Sequence, residues 1–195
     1  MLDLPLNKKY ILPPFFLILI SFSFASLSLN PLLEFDRSLI QEGQIWRILT
    51  GQFVHSNWYH LLLNCGGIIL IWALHAEHTS PKRYTFNILF LALFCGLGLY
   101  KFYPQTHIYT GLSGLLHGVI IFGAIKDVNA GMKTGYLLFI GVWCKVLWEQ
   151  YSGPNVDVGA LINARVAIEA HLIGAIGGSL FLIEKLLCKL KSSLI

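Results

Sequence analysis

Residues 54–75 read VHSNWYHLLLNCGGIILIWALH. At 22 residues this stretch is long enough to cross the ~30 Å hydrocarbon core of a bilayer as a helix. Its polar residues are concentrated in the first half, where His60 and Asn64 are four apart and therefore share one helical face. Strongly polar groups at membrane depth are costly and by default face the interior of a bundle. The stretch predicts a membrane helix that carries a polar, inward-facing pair near one end.

The whole chain has the composition of a membrane protein. Of its 195 residues, 55% are apolar and 12% are charged, whereas soluble domains carry about a quarter charged residues. Six apolar runs follow one another without a long polar stretch between them. They predict an all-α membrane protein, a bundle of six transmembrane helices that forms a single domain over residues 1–195. The runs are 11–30, 54–75, 84–103, 113–127, 134–151 and 165–187.

Basic residues set the expected orientation. In the six-span arrangement nine of them fall on one side and four on the other, and the side with the excess is normally cytoplasmic. Both termini are therefore predicted in the cytoplasm, with residues 31–52 as an outer loop. The net charge of +4 reflects this asymmetry, so no nucleic-acid partner is expected. The nine are Lys8, Lys9, Lys82, Arg83, Lys126, Lys133, Lys185, Lys189 and Lys191; the four are Arg37, Arg47, Lys101 and Arg165.

Neither a metal site nor a cofactor is expected. The cysteines form no CxxC pair, and the zinc-protease pattern HExxH is absent. The first apolar run follows Lys8 and Lys9 and could be mistaken for a signal peptide, but further spans follow and it is expected to be retained.

Residues 111–118, GLSGLLHG, open the fourth run. A serine at the first turn of a helix lies beside backbone N–H groups that have no helical partner and can stabilise an oxyanion. Ser113, between Gly111 and Gly114, therefore occupies a position suited to a nucleophile. Taken alone, a GxSG turn is more often an ordinary serine cap with glycines that permit close packing.

The last run carries a histidine beside a small-residue step. Gly174 and Gly178 form GxxxG, which lets a neighbouring helix approach closely, and His171 lies three residues earlier on nearly the same face. The alternative for His171, as for His60 with Asn64, is a structural polar contact between helices.

Together these groups supply a nucleophile, a base and oxyanion donors from three different runs. Ser113 is the predicted nucleophile. His117, one turn after it, could also reach the hydroxyl, but a histidine on a facing helix suits proton transfer to the leaving amine better, which favours His171. No aspartate is evidently placed to complete a triad, so a dyad is predicted. The remaining polar residues near helix ends are expected to be wetted and are assigned no chemistry: His75, His78, His107, Glu149, Asp157 and Glu169.

The combined pattern resembles the rhomboid intramembrane serine proteases. The resemblance implies a six-helix rhomboid bundle in which Ser113 is the nucleophile and His171 the base. Many rhomboids carry a tyrosine four residues after the serine, where this chain has His117. With that departure the chain looks most like the rhombosortase subgroup. The matching residues are Trp46, Arg47, His55, His60, Asn64, Gly111, Ser113, Gly114, His171, Gly174 and Gly178; His60 and Asn64 would be oxyanion donors, and His55 would brace the site.

The rhombosortase resemblance implies a location and a substrate. It predicts a multi-pass protein of the bacterial inner membrane, in contact with membrane lipid. Its substrate would be an exported protein with a hydrophobic C-terminal or transmembrane segment, cut after a Gly-Gly tag.

Three other functions remain open from the residues. Intramembrane histidines could relay protons through a transporter or proton channel. Two of them could ligate haem in a b-type cytochrome. A rhomboid-fold protein could also bind such segments without cutting them.

Overall fold

The computed structural model describes residues 4–182. The end of the sixth apolar run and three counted basic residues, Lys185, Lys189 and Lys191, lie outside the described residues. The helices are α1 (Lys8–Ser26), α2 (Asn30–Leu33), α3 (Arg37–Gln41), α4 (Arg47–Thr50), α5 (Trp58–His75), α6 (Pro81–Phe102), α7 (Ser113–Asn129), α8 (Thr134–Ser152), α9 (Val156–Ile162) and α10 (Ile168–Ser179), with a 3₁₀ turn at Ala76–His78.

Each predicted apolar run overlaps one of the longer helices. Fewer than six of these helices, however, are long and apolar enough to be identified as membrane spans. In the described part of the chain, three helical segments are long and apolar enough to cross a membrane: Lys8–Ser26, Trp58–His78 and Pro81–Phe102. α7 has 17 residues and α10 has 12, fewer than the ~20 that a perpendicular span needs. Six spans therefore remain a prediction. The apolar side chains exposed on α1, α5, α6 and α8 suit contact with lipid.

Side-chain caps decide where the long helices begin. The Asn57 carboxamide oxygen accepts from the backbone N–H of His60 at 2.8 Å, so α5 starts at Trp58 rather than at residue 54. In the same way the Ser80 hydroxyl accepts from the N–H of Arg83, immediately before Pro81 opens α6. Both are favourable helix starts, because the caps satisfy amides that lack a helical partner.

α7 is the central helix, and eleven of its seventeen residues are buried. α10 packs closely against it through facing glycines. A Cβ added at Gly174 would overlap the carbonyl oxygen of Gly114, and one at Gly178 would overlap that of Gly118. The close approach predicted from the GxxxG step is therefore present, and its partner is a second small-residue step on α7.

Two arginines hold residues 31–52, the predicted outer loop. Arg47 is 2% exposed and donates to the backbone carbonyls of Glu34 at 2.9 Å and Pro31 at 2.8 Å. The neighbouring Trp46, half exposed, donates to the Leu32 carbonyl at 3.2 Å. Arg37 donates to carbonyls at and beyond the end of α6, which are those of Leu99, Tyr100, Tyr103 and Thr106.

A short antiparallel ribbon completes this side of the molecule and, within residues 4–182, is the one departure from an all-α description. Strand β1 (Phe35–Asp36) pairs with β2 (Ile108–Tyr109), with Phe35 opposite Tyr109. The ribbon ties the outer loop to the segment that leads into Ser113. Trp46 and Arg47 thus belong to the loop scaffold, and their contacts lie away from the serine.

Candidate active site

The predicted catalytic residues and oxyanion donors meet at one end of the bundle. The first turns of α5, α7 and α10 lie there beside the last turns of α8. Ser113 is the first residue of α7, and the N-cap position before it is occupied by Leu112. The simple capping interpretation of the GxSG turn is therefore wrong.

Ser113 faces a histidine from the opposing helix. Its hydroxyl lies 3.0 Å from Nε2 of His171, a hydrogen-bond distance between a serine and a possible base. His171 is 5% exposed. The close packing of α10 on α7 brings the two side chains together, since Gly174 lies one turn below His171 and permits the helices to touch.

His117 also lies at the serine, but it contacts the main chain. Its Nδ1 is 2.7 Å from the Ser113 carbonyl oxygen, and its Nε2 is 2.8 Å from Nζ of Lys145. The two imidazole rings stack with centroids 4.1 Å apart and planes inclined by 22°. His117 therefore packs under His171, while the hydroxyl is directed at His171.

An acidic side chain also joins the site, which corrects the expectation that Glu149 has no part in it. Oε2 of Glu149 is 2.9 Å from Nδ1 of His171, and its Oε1 is 2.8 Å from Nζ of Lys145. From the sequence alone no aspartate is placed for a triad, and Glu149 is expected near the surface. Glu149 and His171 are 22 residues apart. No short sequence motif therefore predicts their contact.

The predicted oxyanion donors lie across from the serine. Asn64 is 4% exposed, and its Nδ2 has no hydrogen-bond partner within residues 4–182. The ring edge of His60 lies against Gly111, where an added Cβ would be 2.5 Å from Nε2. Gly111 has φ +112, a backbone region that favours glycine.

His60 is held by a hydrogen-bond chain that fixes its tautomer. The Ser56 hydroxyl donates its single proton to the Ile162 carbonyl at 2.6 Å, so it must accept from Nδ1 of His60 at 3.0 Å. A neutral His60 then presents an Nε2 lone pair, and it donates through Nε2 only as an imidazolium. Asn64 is thus the donor that is ready in the neutral site.

Two buried residues outside the long helices contact His60 and Gly111. His55, 3% exposed, meets the ring of His60 edge-on with centroids 5.1 Å apart. Burial, with a smaller contribution from His60, lowers the pKa of His55 to about 3, so the ring is neutral. The Tyr109 hydroxyl donates to the Gly111 carbonyl at 2.6 Å, and burial raises the pKa of Tyr109.

Two cavities meet at Ser113 and His60. The more polar of the two, about 690 Å³ in volume, reaches from them toward the outer loop and the segment after α9. An apolar cavity of about 560 Å³ runs between α5 and α8, with Leu70 and Val142 among its walls. The serine therefore stands between a polar and an apolar compartment.

The same site offers ligand-type atoms to a cation. Nitrogen and oxygen atoms of His117, Glu149 and His171 lie within 4.8 Å of one another, close enough to bind one metal ion. The ammonium group of Lys145 already contacts His117 and Glu149, and its charge opposes a metal ion there. The expectation that the protein uses no metal stays a prediction.

A second polar cluster lies at the other end of the bundle. Asp127 bonds to Nε2 of His75 at 3.2 Å and to Nε2 of His78 at 2.6 Å. His75 is 6% exposed and Glu169 is 7% exposed, so the expectation that the polar residues near helix ends are wetted is wrong for these two. The cluster joins the end of α5 to α7.

Comparison with known proteins identifies the family. Residues 42–187 match the model of the Rhomboid domain. The chain belongs to the rhomboid family. The matched range contains the serine, both stacked histidines, the oxyanion candidates and Glu149, so the rhomboid domain supplies the whole of the candidate site.

Relatives of this rhomboid chain include two proteins named as proteases and one named as inactive. It is 27% identical over 152 residues to Inactive RHOMBOID-like protein 8 of Arabidopsis thaliana, covering 72% of this chain and 37% of that protein. It is 23% identical over 147 residues to YdcA of Bacillus subtilis (strain 168), a protein assigned to the rhomboid proteases, covering 72% and 67%. It is 23% identical over 143 residues to Rhomboid-like protease 2 of Toxoplasma gondii, covering 71% and 42%. The chain thus spans well under half of two of these relatives.

Proposed function

We propose that this rhomboid is an intramembrane serine protease. The observation that carries the proposal is the 3.0 Å contact between the Ser113 hydroxyl and Nε2 of His171, at the junction of a polar and an apolar cavity. Peptide hydrolysis needs water and an accessible scissile bond together. The polar cavity suits the water, and the apolar one suits a hydrophobic segment.

The proposed reaction uses four side chains. Ser113 attacks the scissile carbonyl while His171 takes the hydroxyl proton and then gives it to the leaving amine. Asn64, whose Nδ2 is buried without a partner among the described residues, donates to the oxyanion, and His60 adds a second donor only in its imidazolium form. A buried, unpaired donor is costly in the resting protein, which is consistent with a partner that arrives only during the reaction.

The substrate is proposed to be a protein with a single hydrophobic C-terminal or transmembrane segment. Its helix must be weak at the cut, because a continuous helix hides its carbonyls from attack. Glycine weakens a helix by about 1 kcal/mol relative to alanine. A Gly-Gly tag before a hydrophobic tail satisfies this need and supports the narrower proposal of rhombosortase activity.

The location is proposed to be the bacterial inner membrane, with six spans and both termini cytoplasmic. The basic residues at the end away from Ser113 support this orientation. Reporter fusions at Arg47 and Lys133 test it, with an outside signal expected at the first and an inside signal at the second. An outside signal at Lys133 would overturn the six-span topology.

Labelling with a serine-directed fluorophosphonate tests the proposed nucleophile. Detergent-solubilised wild type should be labelled, and Ser113→Ala should not. Equal labelling of both proteins would refute Ser113 as the nucleophile. Absence of labelling in folded wild type would favour a non-cleaving rhomboid or a histidine-based proton pathway.

Cleavage of paired substrates tests the substrate class. A reporter with a Gly-Gly step before a hydrophobic tail is compared with one in which both glycines are leucine. We expect faster cleavage of the glycine form. Equal rates would remove the Gly-Gly proposal and leave the protease proposal in place.

A further inference from the structure

Glu149 and Lys145 join both histidines of the site into a closed hydrogen-bonded ring. From the Ser113 hydroxyl the ring passes to His171, then to Glu149, Lys145 and His117, and returns to the Ser113 carbonyl. Every link is between 2.7 and 3.0 Å. Glu149 and Lys145 lie four residues apart on α8 and therefore present one face to the site.

The chemistry of the two charged groups fixes the direction of this ring. A carboxylate only accepts and an ammonium only donates. His171 must therefore carry its proton on Nδ1, facing Glu149, and keep a lone pair on Nε2, facing the serine. Lys145 donates to Nε2 of His117, so His117 carries its proton on Nδ1 and donates it to the Ser113 carbonyl.

We propose that Glu149 is a positioning residue that holds His171 in the tautomer able to accept the serine proton, and that Lys145 orients Glu149. The inference rests on the proposed function, because it concerns how His171 acts as the base of Ser113. When the hydroxyl proton moves to Nε2, the imidazolium keeps its Nδ1 proton against the carboxylate. That Nε2 proton then passes to the leaving amine, and Glu149 remains ionised throughout.

The competing interpretation is an ordinary ion pair on the surface of α8. Lys145 is half exposed, and exposed pairs at this spacing contribute only a few tenths of a kcal/mol. Glu149, in contrast, has a side chain that is 18% exposed and that also contacts the 7% exposed His171 side chain. The two interpretations differ in whether the side-chain oxygen facing His171 controls activity.

The variant Glu149→Gln distinguishes the positioning role from an ordinary surface ion pair. Lys145 can only donate, so it should attract the amide oxygen and turn the amide NH₂ toward Nδ1 of His171. That nitrogen would then have to accept, and the proton would move to Nε2, where it blocks the base. An analogous tautomer error in Ser-His-Asp proteases lowers kcat about 10⁴-fold, and we expect a loss of about 10²- to 10⁴-fold here, with KM changed less than about threefold.

Removing the orienting lysine should restore part of this loss. In Lys145→Met/Glu149→Gln the amide can rotate and present its oxygen to His171. We expect the double variant to be about tenfold or more faster than Glu149→Gln, a coupling typical of directly bonded groups. A double variant no faster than Glu149→Gln would overturn the role of Lys145 in orienting this group.

A matched control is available on α10. Glu169 is also a buried carboxylate, two residues before His171, but it pairs with Arg165 at 2.7 and 2.9 Å. Glu169→Gln makes the same chemical change beside the site and should keep kcat within about threefold of wild type. A loss equal to that of Glu149→Gln would overturn the positioning role, since it would reflect local charge alone.

The measurements are kcat, KM and the rate of fluorophosphonate labelling, together with ¹⁵N spectra of histidine-labelled protein. The spectra should show His171 protonated on Nδ1 in wild type and on Nε2 in Glu149→Gln. If that variant does not fold, Glu149→Asp keeps the charge beside Lys145 but shortens its reach to His171, and about a tenfold loss of kcat is expected.

Wild-type kcat in either Glu149 variant would overturn the inference. Labelling of Ser113→Ala would instead refute the proposed function. The two failures are therefore distinguishable.

Discussion

Asn64→Ala should separate catalysis from stability. If Asn64 donates to the oxyanion, its loss should lower kcat about 10²- to 10³-fold, which corresponds to about 2.7 to 4 kcal/mol of transition-state stabilisation. The free energy of unfolding should change far less. Nδ2 of Asn64 is buried without a partner in the described part of the chain, so the folded protein gains no hydrogen bond from it.

The expected stability change follows from two opposing contributions. Burying an unpaired donor costs roughly 1 to 3 kcal/mol, and the alanine variant is freed of that cost. It also loses the packing of a small side chain, which costs about as much. We therefore expect the free energy of unfolding to stay within about 1 kcal/mol of wild type. A structural polar contact between helices would behave in the opposite way, with a stability loss and little effect on rate.

Asn87→Ala is the matched control. Asn87 is 3% exposed and likewise has an unpaired buried amide atom, its Oδ1, but it lies on α6 beside His75, in a cavity away from the serine. Asn87→Ala should leave the rate of substrate cleavage unchanged. Single-turnover cleavage in liposomes gives the rate, and thermal or denaturant unfolding in detergent gives stability. An Asn64→Ala protein that keeps most of its rate but loses about 2 kcal/mol or more of stability would refute the oxyanion role.

Three further outcomes are expected. His171→Ala should lower cleavage at least about 10²-fold and end fluorophosphonate labelling, whereas His117→Tyr should keep measurable activity by preserving the stacked ring; the reverse pattern in folded proteins would exchange their roles. Gly111→Ala should lower the rate and destabilise the fold by about 1 kcal/mol or more, because of its positive φ and the overlap with His60; unchanged unfolding and cleavage would show that the turn adapts. Lys145→Met should lower the Zn²⁺ concentration for half-inhibition about fivefold or more, because removing a nearby like charge is worth at least ~1 kcal/mol; equal inhibition curves would place zinc elsewhere.

Local patterns in the sequence predict much of the fold and of the candidate site. The apolar runs are long, and bilayer-compatible helices must satisfy their own backbone, so each run overlaps a helix in the described part of the chain. The i, i+4 spacing of His60 and Asn64 and the GxxxG step before α10 ends are local features. They predict shared faces and close packing without knowledge of neighbouring helices.

The completed ring around Ser113 was decided by tertiary structure. Glu149 looks like a solvated residue near the end of a helix until α8 is placed beside α10, and only that crossing brings its carboxylate to His171. The same holds for Arg37, whose carbonyl partners begin 62 residues away, and for Asp127 with His75. Polar contacts of this kind depend on how helices are inclined and stacked. The sequence therefore determined which helices form and which residues share a face, while the packing of α8 against α7 and α10 decided which polar groups meet, because that geometry is set by side-chain fit over whole helix surfaces.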